Sequence, residues 1–438
     1  MTFLTLPAAA VAAHVDDFLT SATAACPDLS GHLDPLRRLT AEPPRVLVTG
    51  SSGTGISTLV EALTGTPYPE TGGTVATVYS SADRAHPTGI PDTVQVRRIP
   101  GAALADLTFV VGDDPAATAC ADAVLYLVDR EPLPADLAAL RDAGFGPRGT
   151  VLLVSRADEF GAGSLGSADP VEDARAYARS LTPRPGTASS WSASVAVSPL
   201  LAVAGRSVAV DPDAAGRCAR LASYRPAAVS ATLLRGEVPA GMATDLDATG
   251  TYGVLRAGAA AEQGPATLSE WLTERSGVGD LRSELLGPLA QAALLRRAAL
   301  VLEQMEQLRF TAEDPAALTA VLERPSSSPA AWRIRLFPET ARLAAAGMDD
   351  EAALVARVVD ADSLTDLARL PAGAAAVDVV NGLREQLRTV NLRLTGFTVP
   401  VVEAAYTAVS VVLRRAVAEA EAVLGGIPTA TEHGLWEN

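Results

Sequence analysis

Apolar positions recur along this chain with two different periods, and the change from one to the other divides it. Up to Pro43, Val11, Val15, Phe18 and Ala22 keep helical spacing, and Leu29, Leu33, Leu36 and Leu39 keep it again beyond Pro27. This predicts two short helices. From Arg45 the apolar residues gather instead into short runs: Val46-Leu47-Val48, Thr74 to Ser80, Thr93 to Ile99, Ala123 to Val128, Thr150 to Val154 and Val195 to Val197. Runs of this length and composition read as six strands. Ser57 to Leu63, Asp136 to Asp142 and Val171 to Leu181 return to helical spacing between them. Strands alternating with helices predict a mostly parallel sheet covered by helices on both faces.

Beyond Ala214 the strand pattern fades and alanine-rich helical spacing takes over. Leu281 to Leu308 reads as one long helix that Pro288 should kink or divide. Ala376, Val380, Leu383, Leu387, Val390 and Leu394, then Val402, Tyr406, Val409 and Leu413 beyond Thr395-Gly396, predict two helices packed as an antiparallel pair. Four regions follow: an N-terminal helical segment at 1–43, an α/β domain at 44–210, an all-α domain at 211–424 and a Gly, Pro and Thr rich flexible tail at 425–438. The stretch from Glu323 to Pro329 has similar loop composition.

Composition excludes several classes. With 438 residues, 48% apolar and 20% charged, the chain is long enough for a large core. A net charge of -16 and no arginine cluster argue against nucleic acid, and equally against anionic membrane surfaces. No apolar run of spanning length is uninterrupted, since Val399 to Leu413 is broken by Pro400 and Glu403. The N-terminus lacks the basic start of a signal peptide. Cys26, Cys120 and Cys218 are far apart and match no metal spacing, which suits a reducing, cytoplasmic setting. The four histidines are scattered, so neither a hydrolytic triad nor a zinc site is supported, and Asp113-Asp114 reads as a loop or cap pair.

The chemistry concentrates in Gly50-Ser51-Ser52-Gly53-Thr54-Gly55-Ile56-Ser57-Thr58, between the first strand and a helix. This is the outline and the context of a phosphate-binding loop, whose backbone amides cradle phosphates at a helix N-terminus. The position that normally carries lysine holds Ile56, and all 35 basic residues of the chain are arginine. Isoleucine can neither donate a hydrogen bond nor offset phosphate charge.

Over about Arg45 to Arg206 the chain resembles the translation-factor-related GTPases, and within them the bacterial dynamin-like and Era-like groups. Gly50, Gly53, Thr54, Gly55, Ile56, Ser57 and Thr58 match the first motif except at the lysine, and Ser57 stands where the resemblance implies a magnesium-binding hydroxyl. Thr74 matches the switch threonine. The third motif, Asp-x-x-Gly, would fall on Arg98-Ile99-Pro100-Gly101, with Arg98 replacing the magnesium-linked aspartate. Ser155-Arg156-Ala157-Asp158 corresponds to the fourth motif, with Asp158 accepting from guanine and the stem of Arg156 covering the base, and Ser198 marks the fifth.

The resemblance thus implies a P-loop GTPase-like sheet with a C-terminal helical domain and room for GTP or GDP. The altered charges imply that magnesium geometry and turnover are lost. Arg98 would bridge phosphate oxygens if it points inward. The expected role is that of a pseudo-GTPase, a regulatory or structural partner of an intact GTPase paralogue or of a second copy. Three alternatives stay open: an unconventional active GTPase, a nucleotide-free scaffold, and a Rossmann-type dinucleotide fold suggested by Thr49 to Gly55. The last lacks its later glycines, at Thr54 and Ile56, and the lysine of a Tyr-x-x-x-Lys site.

Overall fold

The computed structural model describes residues 8–68, 76–99, 106–183, 189–238, 240–323, 329–361, 363–396 and 399–425. The expected tail beyond 425 and most of the 323–329 stretch lie outside them. Two helices, α1 (Ala8–Ala25) and α2 (Ser30–Ala41), precede the sheet, joined by a short 3-10 turn at Pro27–Leu29. The strands are β1 (Arg45–Gly50), β2 (Thr77–Ser81), β3 (Gln95–Ile99), β4 (Thr108–Val111), β5 (Ala123–Val128), β6 (Thr150–Val154) and β7 (Ala193–Ala196). The helices among and after them are α3 (Ile56–Thr64), α4 (Pro115–Ala119), α5 (Pro134–Asp142), α6 (Pro170–Leu181) and α7 (Pro199–Val210).

Seven strands form one sheet in the order β3-β2-β4-β1-β5-β6-β7. All neighbours are parallel except β2 and β4. This is the mostly parallel, GTPase-like arrangement that the resemblance implies. β1 is central, with Val48 in register with Val111 on one side and Leu125 on the other. One strand beyond the expected six is present: β4, whose four residues Thr108-Phe109-Val110-Val111 form a short run directly beside β1. Because successive strand residues face opposite sides, Val124, Tyr126 and Val128 pack into one core layer while Ala123, Leu125 and Leu127 pack into the other. Both faces are therefore covered, and the strands read as near-continuous apolar runs.

The remaining helices are α8 (Ala214–Ser223), α9 (Pro226–Leu234), α10 (Ala240–Arg256), α11 (Gly258–Glu262), α12 (Pro265–Ser276), α13 (Val278–Glu284), α14 (Ala290–Leu308), α15 (Pro315–Leu322), α16 (Pro329–Ala345), α17 (Asp349–Asp360), α18 (Leu364–Leu367), α19 (Ala376–Leu394) and α20 (Pro400–Leu424). Contacts divide the chain into two compact units. One holds 42–184 and 189–293, so α8 to α13, expected with the helical domain, cluster with the sheet. The other holds 1–41, 185–188 and 294–438.

Pro288 divides the long helical stretch as expected. Leu285–Leu289 is a π-type turn in which Gly287 leaves the helical region, at φ -102 and ψ -106. The whole stretch Val278–Leu308 is nonetheless long and apolar enough to cross a membrane by length and composition, with 44% of its most apolar window buried. Leu281, Leu285, Leu289 and Ala293 within it belong to the core under the sheet. In the second unit α19 and α20 pack together through Val380, Leu383, Val390, Val402, Tyr406 and Val409, all buried. Their direction is antiparallel, because Arg384 pairs with Glu421 while Arg393 reaches Tyr406. The helix α1 packs against α15 and α16 of the same unit.

Candidate functional site

The loop between β1 and α3 sits at the carboxyl ends of the parallel strands, where ligands of open α/β sheets collect. Its conformation is fixed locally. Thr54 is buried and bonds back to the Ser51 carbonyl through its amide at 3.3 Å and its hydroxyl at 2.8 Å. From the end of β6, the Ser155 hydroxyl donates to the Thr54 carbonyl at 2.6 Å. A side chain added at Gly55 would touch both Ser155 and Pro199, at 3.6 Å each. The first, fourth and fifth motif positions are thus brought together. Gly50, Gly53 and Gly55 all have positive φ, and Gly50 passes so close to β5 that a Cβ there would lie 2.3 Å from the Leu127 carbonyl oxygen.

The amides at the start of α3, from Ile56 to Thr58, lack intrahelical acceptors by helix geometry, and this is the end that could meet an anion. Ser57 is exposed there and Thr58 half-buried. The side chain of Ile56 instead packs against the core cluster that contains Val46, Leu59 and Leu127. It is an anchor for the start of α3.

Asp158 lies in a 3-10 turn, Ala157–Glu159, after β6. It is only 4% exposed, and burial pushes its carboxyl pKa up, while the hydrogen bond from Ser198 opposes the rise. Ser198 in turn caps α7, accepting from the Leu201 amide at 3.2 Å. What covers Asp158 is α10, whose helix is broken at Gly250, with φ 66 and ψ 177. That backbone region is open essentially to glycine alone. A Cβ built on Gly250 would lie 3.4 Å from the Asp158 carboxylate and 3.0 Å from Leu200. Arg156 has a left-handed backbone, φ 54, and a half-exposed side chain paired with Glu159.

Arg98 requires a correction. It lies on β3, the outermost strand, three places from β1, which at about 4.8 Å per strand is about 14 Å. Its guanidinium donates to the Ser81 carbonyl at 3.1 Å, the Ala82 carbonyl at 2.7 Å and the Arg84 carbonyl. The group is committed to its own corner of the sheet and does not compensate for Ile56. Thr74 and Gly101 lie outside the described residues.

On that side of the sheet the strand that borders β1 is β4, and it leads into Gly112-Asp113-Asp114-Pro115. Sequence reasoning missed this, although an apolar run closed by glycine was its available signal. A Cβ at Gly112 would meet Ala117 at 3.0 Å and Ala76 at 3.2 Å, so a carboxylate has no room there. Asp114 is spent on capping α4, accepting from the Ala117 amide at 2.7 Å. Only Asp113 remains as an exposed acid at this end of β4.

The residues present therefore fit a magnesium nucleotide poorly. Among the described residues the loop from Gly50 to Thr58 carries no cationic side chain, Gly112 rather than an acid closes β4, and Asp158 is covered by α10. Cys26, Cys120 and Cys218 are buried thiols whose pKa values burial raises, so they offer no nucleophile. Among the described residues no group of three His, Cys, Asp or Glu side chains is placed to hold a metal.

No protein family matches the sequence, and no curated protein does. Among solved structures, a chain of an oligomerised bacterial dynamin pair, described as providing a mechanism for the long-range sensing and tethering of membranes, is similar over 94% of this chain and 75% of that chain. The identity is 10% and the TM-score 0.24.

Proposed function

We propose that this chain is a pseudo-GTPase: a GTPase-like fold that keeps the phosphate loop as architecture, has lost efficient hydrolysis, and acts in the cytoplasm by binding a protein partner, an intact GTPase or a second copy. The observation that carries the reading is Ile56, whose side chain anchors α3 in the core where phosphate chemistry would need a positioned cation. The displaced acid at Gly112-Asp113 supports it. Phosphoryl transfer depends almost wholly on positioned positive charge, so without these groups turnover falls by orders of magnitude.

Calorimetric titration of the purified chain with GTP and GDP, with and without magnesium, together with a hydrolysis assay, tests the proposal. The expected result is weak, magnesium-independent binding and a rate no more than about a few per cent of an intact GTPase. Robust magnesium-dependent turnover would overturn it. A second reading, a scaffold that binds no nucleotide, is favoured by the cover of α10 over Asp158. It predicts no thermal shift with any guanine nucleotide. If binding is found, Asp158→Ala should lower guanine affinity about ten- to a hundredfold.

A further inference from the structure

The helical unit contains a cavity of about 250 Å³ between α17, α18, α19 and α20. Val358, Leu367, Val390 and Leu413 give it an apolar floor, and all four are buried. Arg357, half-buried on α17, and Arg369, exposed just past α18, line it together. Neither guanidinium has a hydrogen-bond or ion-pair partner among the described residues, and the two like charges oppose one another. Of the described acids that line it, Asp366 accepts from the Ser363 hydroxyl at 2.6 Å, and Asp360 has a partner of its own.

The backbone at Arg369 adds an independent observation. Its φ is 63, and its amide and that of Leu370 close the end of α18 on the carbonyls of Asp366, at 3.0 Å, and Thr365, at 2.9 Å. This left-handed closing position is one that glycine fills without strain. An arginine there costs stability, and such cost concentrates at binding sites. The position of α18 is held closely, because a Cβ on Gly382 of α19 would lie 2.9 Å from the Ala368 carbonyl oxygen.

We propose that this cavity binds a small organic anion, an oxyanion joined to a short apolar group, with Arg357 and Arg369 clamping the charged end and the apolar floor taking the rest. Guanidinium forks match carboxylate and phosphate oxygens, and charge-assisted bonds of this kind are among the strong ones. A cavity of about 250 Å³ lies just under the range of about 300–1,000 Å³ usual for small-molecule sites, which suits a small ligand.

The test is titration of the full chain with phenyl phosphate, phenylacetate and inorganic phosphate, followed by calorimetry and thermal shift. Phenyl phosphate or phenylacetate should bind more tightly than inorganic phosphate, and which of the two wins identifies the anion. Arg369→Gly, which relieves the backbone and so should fold at least as well, should weaken that binding at least about tenfold, and Arg357→Gln similarly. Arg388→Gln, at an exposed arginine paired with Glu385, should leave it unchanged. Absence of binding by both aromatic anions at millimolar concentration, or affinity that survives either Arg369→Gly or Arg357→Gln, would overturn the proposal.

Discussion

The Ser155 hydroxyl and the Thr54 carbonyl, 101 residues apart, are joined by a buried hydrogen bond of 2.6 Å that ties the end of β6 to the loop before α3. Ser155→Ala leaves that carbonyl buried without a donor, at a cost of about 1–3 kcal/mol. Denaturant unfolding should show the loss, whereas Ser57→Ala, at an exposed hydroxyl, should stay within about 0.5 kcal/mol of the parent.

A lysine at position 56 should not by itself produce GTP turnover. Ile56→Lys removes an apolar anchor from the core cluster and places a flexible cation beside a strand end that lacks the partnering acid. The expected outcome is lower stability, by about 1–3 kcal/mol, with little gain in GTP turnover. A large gain in hydrolysis would show that lysine alone had been limiting.

Asp158 should make stability depend on pH in an unusual direction. Burial raises its folded pKa, so its contribution is fully present below the unfolded value, about 3.9, and is lost as pH rises through the folded value. Asp158→Asn should therefore be more stable than the parent at neutral pH, with the difference shrinking as pH falls toward about 4. Melting temperatures across that range are the measurement, and an Asp158→Asn variant less stable at neutral pH would contradict it.

Glu419, half-buried on α20, behaves in the same sense, its pKa pushed up to about 7 by burial against the opposing effect of Arg415. Its stabilising contribution is present below about 4.3 and is lost as pH rises through about 7. Glu419→Gln should raise the melting temperature at pH about 8 and leave it nearly unchanged at pH about 4. No pH dependence of the difference would mean that Glu419 is solvated.

Local pattern carried much of this site into view. The strand, glycine spacing and helix around Gly50 to Thr58, and the placement of Ser155, Asp158 and Ser198 after strands, follow from short-range rules, and the structure gathers those residues. Strand order does not follow from such rules. β3 is parallel to β2 and lies outside it, so the strand that comes next along the chain is not the next neighbour of β1. Sequence position therefore sets Arg98 beside the loop, whereas space gives that place to the end of β4. The cover over Asp158 was hidden for the same reason: Gly250 is 92 residues further on, and one glycine in a helical pattern does not tell what its kink will meet.

The outer strand β3 has a consequence for how the molecule meets others of its kind. An unpaired strand edge is a template on which a second chain can extend a sheet. Here that strand is five residues long and carries Gln95, Arg97 and Arg98, and the Arg98 guanidinium folds over the carbonyls of Ser81, Ala82 and Arg84 at its corner. Short length and charge are the usual means of discouraging edge-to-edge polymerisation. Arg98, which the motif comparison sets at the place of a magnesium-linked aspartate, thus serves to guard the β3 edge against pairing with a second chain.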